Sequence, residues 1–235
     1  MSPLLMIGLV SWLAGIAAFV GGCGAQLEGS AESEGKRELI HGIVAFGGGI
    51  LVAAVAFALV PEGVAALPLW ALALAFCGGG ALFCALDALI TRRAGNRAQF
   101  LAMLLDFVPE ALALGALFGH GGGGMLLALF IGAQNLPEGF NAHRENLGSG
   151  VAPRTSLLGL LGVSLLGPLA ACCGYLFLRD QPLLTGTILS AAAGGILYLV
   201  FQDIAPQAQM RRHWSPTLGA VLGFAFGMVG KELLG

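Results

Sequence analysis

Eight stretches of this chain are each apolar over about the 20 residues a helix needs to cross the hydrocarbon of a bilayer. They run over residues 3–22, 40–60, 67–90, 98–118, 124–142, 155–178, 183–205 and 216–234. Repeated eight times with short connections, that pattern leaves little room for any solution except an all-α, polytopic membrane protein. Composition agrees: 57% of the 235 residues are hydrophobic and 10% are charged, too few charges to cover a water-soluble core. The mean hydropathy is +0.87. Residues 1–235 read as one transmembrane domain, in which only 23–39 looks like a polar loop, with Glu28, Glu32, Glu34, Lys36, Arg37 and Glu38.

The run from Pro3 to Val20 has no Lys or Arg before it, unlike a signal peptide, and is read as a retained first span. No basic patch points to nucleic acid. Cys23, Cys77, Cys84, Cys172 and Cys173 make no zinc-finger spacing and read as small hydrophobes.

Loop charge sets the orientation. With the N-terminus outside, the inner loops hold Lys36, Arg37, Arg92, Arg93, Arg97, Arg144, Arg154, Arg211 and Arg212, and the outer segments only Arg179 and Lys231. Both termini are therefore expected in the periplasm, with the chain in the inner membrane of a bacterium.

The chain also repeats itself. The second stretch reads GGILVAAVAFALVPEG from Gly48 to Gly63, and the seventh GGILYLVFQDIAPQA from Gly194 to Ala208. An odd separation in the order of crossings makes the two antiparallel, as an inverted repeat requires. Stretches four and five share a device: Asp106-Phe107-Val108-Pro109-Glu110 in one, Gln134-Asn135-Leu136-Pro137-Glu138 in the other.

These two segments carry the chemistry. A carboxylate at the bilayer centre costs about 2.5–3.5 kcal/mol on the insertion scale, so three of them need a reason. Asp106 and Glu110 share one helical face at i,i+4 spacing, as do Gln134 and Glu138. No Lys or Arg lies in any of the eight cores to neutralise the acids; a divalent cation would. Pro109 and Pro137 each withhold a backbone donor and free a carbonyl at the same depth. Oxygen donors of this kind suit hard or borderline divalent ions. A proton relay is the competing reading of the same acids. No His-Glu-x-x-His or Gly-x-Ser-x-Gly motif occurs to make the chain an enzyme.

At these residues the sequence resembles the ZIP (ZRT/IRT-like) family of divalent-metal transporters. The family pattern His-Asn/Ser-x-x-Glu/Asp-Gly stands here as Asp106-Phe107-Val108-Pro109-Glu110-Ala111, and His/Gln-Glu/Asn-x-Pro-Glu/His-Gly/Glu as Gln134-Asn135-Leu136-Pro137-Glu138-Gly139. The continuation Phe140-Asn141-Ala142-His143-Arg144-Glu145, and the run from Ala193 to Tyr198 leading to Pro206, are also similar to members. The resemblance implies eight helices in a 3+2+3 inverted arrangement with both termini outside. It implies a metal site of Asp106, Glu110, Gln134 and Glu138, with Asn135 as a weaker contact. The metal is the transported substrate, held near the midplane while helices 1–3 and 6–8 rock around it; no other cofactor is implied. Zinc is the family default, and Asp106 in place of histidine shifts the expectation toward manganese or iron, with cadmium also accepted.

Departures bear on stoichiometry. Where members hold a second metal, this chain has Phe107 and, before Pro168, Gly167, so one metal is expected rather than a bridged pair. The family's His-rich inner loop is replaced by the short turn Thr91 to Arg97. His41, His120, His143 and His213 lie near stretch ends and read as interfacial residues. Glu62 is a candidate for the outer funnel, and Asp203, Asp87, Gln202 and Gln207 for the inner exit. Glycine-rich helices allow a close-packed homodimer. A proton-coupled carrier of another solute, using the same carboxylates, is the alternative function.

Overall fold

The computed structural model describes residues 2–28, 33–93, 98–120 and 123–234; the side chains of 91–93, 98–103, 105, 106 and 120 lie outside the description. Among the described residues there is no strand, only an isolated bridge between Met210 and His213. Eight continuous helical runs follow one another: α1 Pro3–Glu28, α2 Glu34–Ala66, α3 Leu69–Arg93, α4 Ala98–His120, α5 Gly123–Gly148, α6 Pro153–Leu178, α7 Pro182–Ala208 and α8 Leu218–Leu234.

Five of them (α1, α2, α3, α6 and α7) are long and apolar enough to cross a membrane by length and composition. The chain is thus compatible with a multi-pass membrane protein. In α4 the apolar run among the described residues is Phe107–Gly119, and α8 has 17 residues. Helix α5 carries Gln134, Asn135, Glu138 and Asn141, which lower its hydropathy. The expected polar loop 23–39 is largely helical instead: α1 continues to Glu28 and α2 begins at Glu34, capped by Ser33, whose Oγ accepts from the Lys36 amide. An ion pair of 2.9 Å between Lys36 and Glu28 joins the two ends.

Large apolar side chains cover much of the surface, and several polar groups lie inside. Leu69, Trp70, Leu74 and Leu82 on α3 and Val221, Leu222 and Val229 on α8 are exposed, while Glu110, Gln134, Asn135, His143 and Ser164 are buried. The apolar core that does exist is built round Ile50, Leu59, Leu114, Leu127, Phe130 and Ile196.

Four helix crossings are set by glycine, and all four have one form. Gly21 of α1 lies on the Leu136 carbonyl of α5, and Gly139 of α5 on the Ala18 carbonyl of α1. The same reciprocal contact joins Gly115 and Gly174 (α4 with α6), Gly79 and Gly194 (α3 with α7), and Gly49 and Gly223 (α2 with α8). In each case the glycine meets the carbonyl three residues before the partner glycine. A Cβ at any of the eight would overlap backbone, so only glycine lets the axes come this close.

Helices α2 and α7 share a second irregularity. Each widens to a π turn, Val55–Leu59 in one and Val200–Ile204 in the other. The Val60 amide reaches five residues back to Val55 and the Ala205 amide to Val200. A proline follows in both, Pro61 and Pro206, with no N–H to give to Phe57 or Gln202. The wider turn absorbs the missing bond, a device frequent at functional sites.

Candidate metal centre

Helices α4 and α5 pack against each other at the centre of the molecule, each with a proline inside it, Pro109 and Pro137. Directly after Pro109 comes Glu110, and one turn before Glu138 comes Gln134; both Glu110 and Gln134 are 1% exposed. The Gln134 Nε2 donates to Glu110 Oε1 at 2.8 Å and to Oε2 at 2.7 Å. One amide nitrogen therefore sits between both oxygens of a buried carboxylate. Gln134 Oε1 is buried with no hydrogen-bond donor among the described residues. Asp106 stands one turn before Glu110 on α4, and its side chain is outside the described residues. Among the described residues no three His, Cys, Asp or Glu side chains converge on a single point.

Glu138 is half-buried one turn further along α5. It lines a cavity of about 40 Å³ with Val44, Gly47, Gly48, Asn141, Ile204 and Gln207, between α2, α5 and the π turn of α7. Gly47 and Gly48 make that junction possible, since a Cβ on them would press on the Pro137 ring and on Ile204. The Asn141 Nδ2 donates at 2.9 Å to both Glu145 Oε1 and Gln207 Oε1. Glu145 lies three residues beyond the apolar stretch. Burial pushes its carboxyl above the ordinary range, the Asn141 hydrogen bond pulls it back, and the charge of Asp203 adds to the rise. Asp203 stands on the π turn, and Asp87 Oδ2 accepts a 3.0 Å bond from the Tyr198 hydroxyl. Polar groups thus continue from Glu138 toward one end of the bundle.

At the other end, Glu62 borders a cavity of about 170 Å³ with Ala65, Ala66, Pro182, Thr185, Gly186 and Leu189. It belongs to a different region from the Glu110–Gln134 pair. Asn135 ties two helices together, its Nδ2 donating at 3.0 Å to the Ala14 carbonyl of α1. Phe107 is 3% exposed, and its ring end lies where a Cβ on either Gly15 or Gly167 would go.

The histidines divide. His41 Nδ1 meets the Gln207 carbonyl at 2.6 Å, and His213 stands with one ring nitrogen on Glu38 and the other 3.1 Å from Glu34. The side chain of His120 is outside the described residues. His143 is not interfacial: it is fully buried, bonded at 2.9 Å to Ser156 Oγ through Nδ1 and at 2.9 Å to Gln26 Oε1 through Nε2. It joins α1, α5 and α6. Asn141 borders the Glu138 cavity; in the sequence it appears only within the Phe140–Glu145 run and in its i,i+3 and i,i+4 spacing to Glu138 and Glu145. No protein-family model matches this chain, and no curated protein matches it.

Proposed function

We propose that this chain carries a divalent transition metal across a membrane in the manner of the ZIP family, with zinc as the default ion. Eight spans in a 3+2+3 inverted arrangement, both ends in the periplasm of a bacterial inner membrane, complete the proposal. The symmetry of the packing supports it. Exchanging α1 with α6, α2 with α7, α3 with α8 and α4 with α5 turns the α1–α5 crossing into α6–α4, and α2–α8 into α7–α3. The four glycine crossings map onto themselves, and the two π turns map onto each other.

The observation that carries the metal reading is the Gln134 amide lodged between both oxygens of buried Glu110. Its N–H dipole occupies the position a cation would take. When an ion arrives, rotation of the amide turns the donorless Oε1 toward it and releases the carboxylate. Asp106 from α4 and Glu138 from α5 complete an oxygen-rich set. With Phe107 closing the neighbouring space, the site takes one ion. From Glu138 the ion leaves along Asn141, Gln207, Glu145 and Asp203.

Glu110→Ala and Glu138→Ala are the test: either should abolish metal uptake into proteoliposomes while the purified protein remains folded. Normal flux in either variant rejects the site. The string Glu138, Asn141, Glu145 favours one second reading, a proton path in a carrier of another solute. Flux driven by a pH gradient with all metal chelated would select it. Competition among Zn, Mn, Fe, Cd and Co decides the ion.

A further inference from the structure

The cavity beside Glu138 has a much larger neighbour. Helices α2, α7 and α8 leave a cleft of about 450 Å³ with walls of Gly49, Val52, Val200, Val221 and Phe224. Polar side chains enter it at one end only, Gln209 and Thr217. From Val200 to Gln209 the cleft is about 13 Å deep at 1.5 Å per helical residue. That is close to the roughly 15 Å of hydrocarbon in one leaflet. A metal ion or a polar solute has nothing to bind along such walls.

The polar end opens beneath the α7–α8 connection. That connection bears Arg211 and Arg212, both exposed and neither in an ion pair among the described residues, and Trp214, which is 83% exposed. Exposed Trp beside Arg is the composition of a segment at headgroup depth. The segment is also held in place. The Met210–His213 bridge and the left-handed Arg212 (φ 67°) fold it back, and His213 is clamped by Glu34 and Glu38 of α2. Two exposed arginines therefore stand on a held connection at the polar end of an apolar slot about one leaflet deep.

We propose that this cleft seats an anionic phospholipid, one acyl chain in the slot and its phosphate on Arg211 and Arg212. Charge complementarity selects the occupant: the acids at this end, Glu34 and Glu38, turn to His213, and Arg211 and Arg212 have no ion-pair partner among the described residues, so a zwitterionic lipid would match the slot less well than an anionic one. The inference rests on the membrane reading of α2, α7 and α8 and not on the identity of the transported ion. It has a consequence for the site, because Gly48 and Ile204 line both this cleft and the Glu138 cavity. The chain in the slot braces the outer side of the π turn whose inner side closes on Glu138.

The test uses purified full-length protein in mild detergent, exposed to phosphatidylglycerol or phosphatidylcholine and weighed by native mass spectrometry. The wild type should retain one phosphatidylglycerol with a preference of about thirtyfold, the strength expected of two juxtamembrane cations. Arg211→Gln with Arg212→Gln should bring the preference close to one. Ala205→Phe, which fills the slot, should lose both lipids. Should that variant misfold, the arginine pair decides alone, since it lies in an exposed connection. Equal retention by the wild type, an undiminished preference in the arginine variant, or a lipid-free two-chain mass overturns the proposal. Release of the wild type from membranes by alkaline carbonate would remove the membrane reading itself. That result is distinct from a protein that stays in the bilayer and ignores lipid charge.

Discussion

Replacing Gln134 isolates the interaction on which the metal reading stands. In Gln134→Leu the volume is nearly kept, but Glu110 loses the amide that contacts its oxygens at 2.8 and 2.7 Å. A hydrogen bond to a charged group is worth about 1.5–3 kcal/mol, and a carboxylate that is 1% exposed has no water to replace it. The metal-free protein should therefore be about 3 kcal/mol less stable. At the roughly 2–4 °C per kcal/mol of a chain this long, its unfolding midpoint should fall by about 6–12 °C. Gln134→Glu moves the balance the other way. It adds a second carboxylate against Glu110, so the metal-free form suffers like-charge repulsion that a divalent ion relieves. Unfolding would be followed in detergent, with chelator and with excess zinc. The chelated Gln134→Leu should melt low and respond weakly to zinc, and Gln134→Glu should melt low and recover by more than the wild type gains. Two variants that both melt like wild type under chelator, or a Gln134→Leu that keeps the full zinc response, would refute the reasoning.

Two further outcomes follow from packing. Gly139→Ala puts a methyl into the Ala18 carbonyl and forces α1 and α5 apart, and should lose about 1–3 kcal/mol together with most metal uptake. Gly132→Ala on the same helix meets Ala14 at an ordinary 3.5 Å and should be neutral or stabilising in the same melts. Gly167→Ala presses on the Phe107 ring, so Phe107→Leu should rescue it, with a coupling of about 0.5–3 kcal/mol in a double-mutant cycle read by thermal unfolding.

Each of the eight stretches falls on one helix, and for five of them the run is long and apolar enough to be a one-dimensional signal. The ends were less legible. Helices α1, α2 and α5 run past the apolar segments into charged turns that include Glu28, Glu34 and Arg144. Pro61 and Pro206 marked the right places, yet a proline alone does not distinguish a kink from the π turn that both adopt. His143 looked interfacial because its partners are remote in sequence, Ser156 thirteen residues later and Gln26 on another helix. At the site, the shared proline–carboxylate device pointed to α4 and α5, and Glu110 and Gln134 meet there. The structural role of Asn135 and the place of Asn141 depend on which helix packs opposite, which local spacing does not encode. The same holds for glycine: 38 are present, and only the assembled bundle shows which eight form the reciprocal backbone crossings.

Those eight glycines also constrain how the proposed carrier can move. Rocking of helices 1–3 against 6–8 would have to separate α2 from α8 and α3 from α7, crossings in which backbone touches backbone. The glycine contacts instead tie α1 to α5 and α4 to α6, with α1 packed on α6, and leave α2, α3, α7 and α8 as the other set. Across the boundary the close approaches run through side chains, Gly47 to the Pro137 ring and Gly227 to the Phe130 ring. Side-chain contacts can slide where carbonyl-on-glycine crossings cannot, so motion should occur between these sets. The Glu138 cavity lies on that boundary, with Val44 on one side and Asn141 on the other. In a background stripped of the other cysteines, Val44→Cys with Asn141→Cys should stop metal flux on oxidation and recover its own reduced-state flux with reductant. Leu4→Cys beside native Cys172, whose Sγ is 3.9 Å from the Leu4 carbonyl, bridges α1 and α6 within one set and should leave flux unchanged. Flux that survives the first cross-link and stops with the second would place the moving boundary elsewhere.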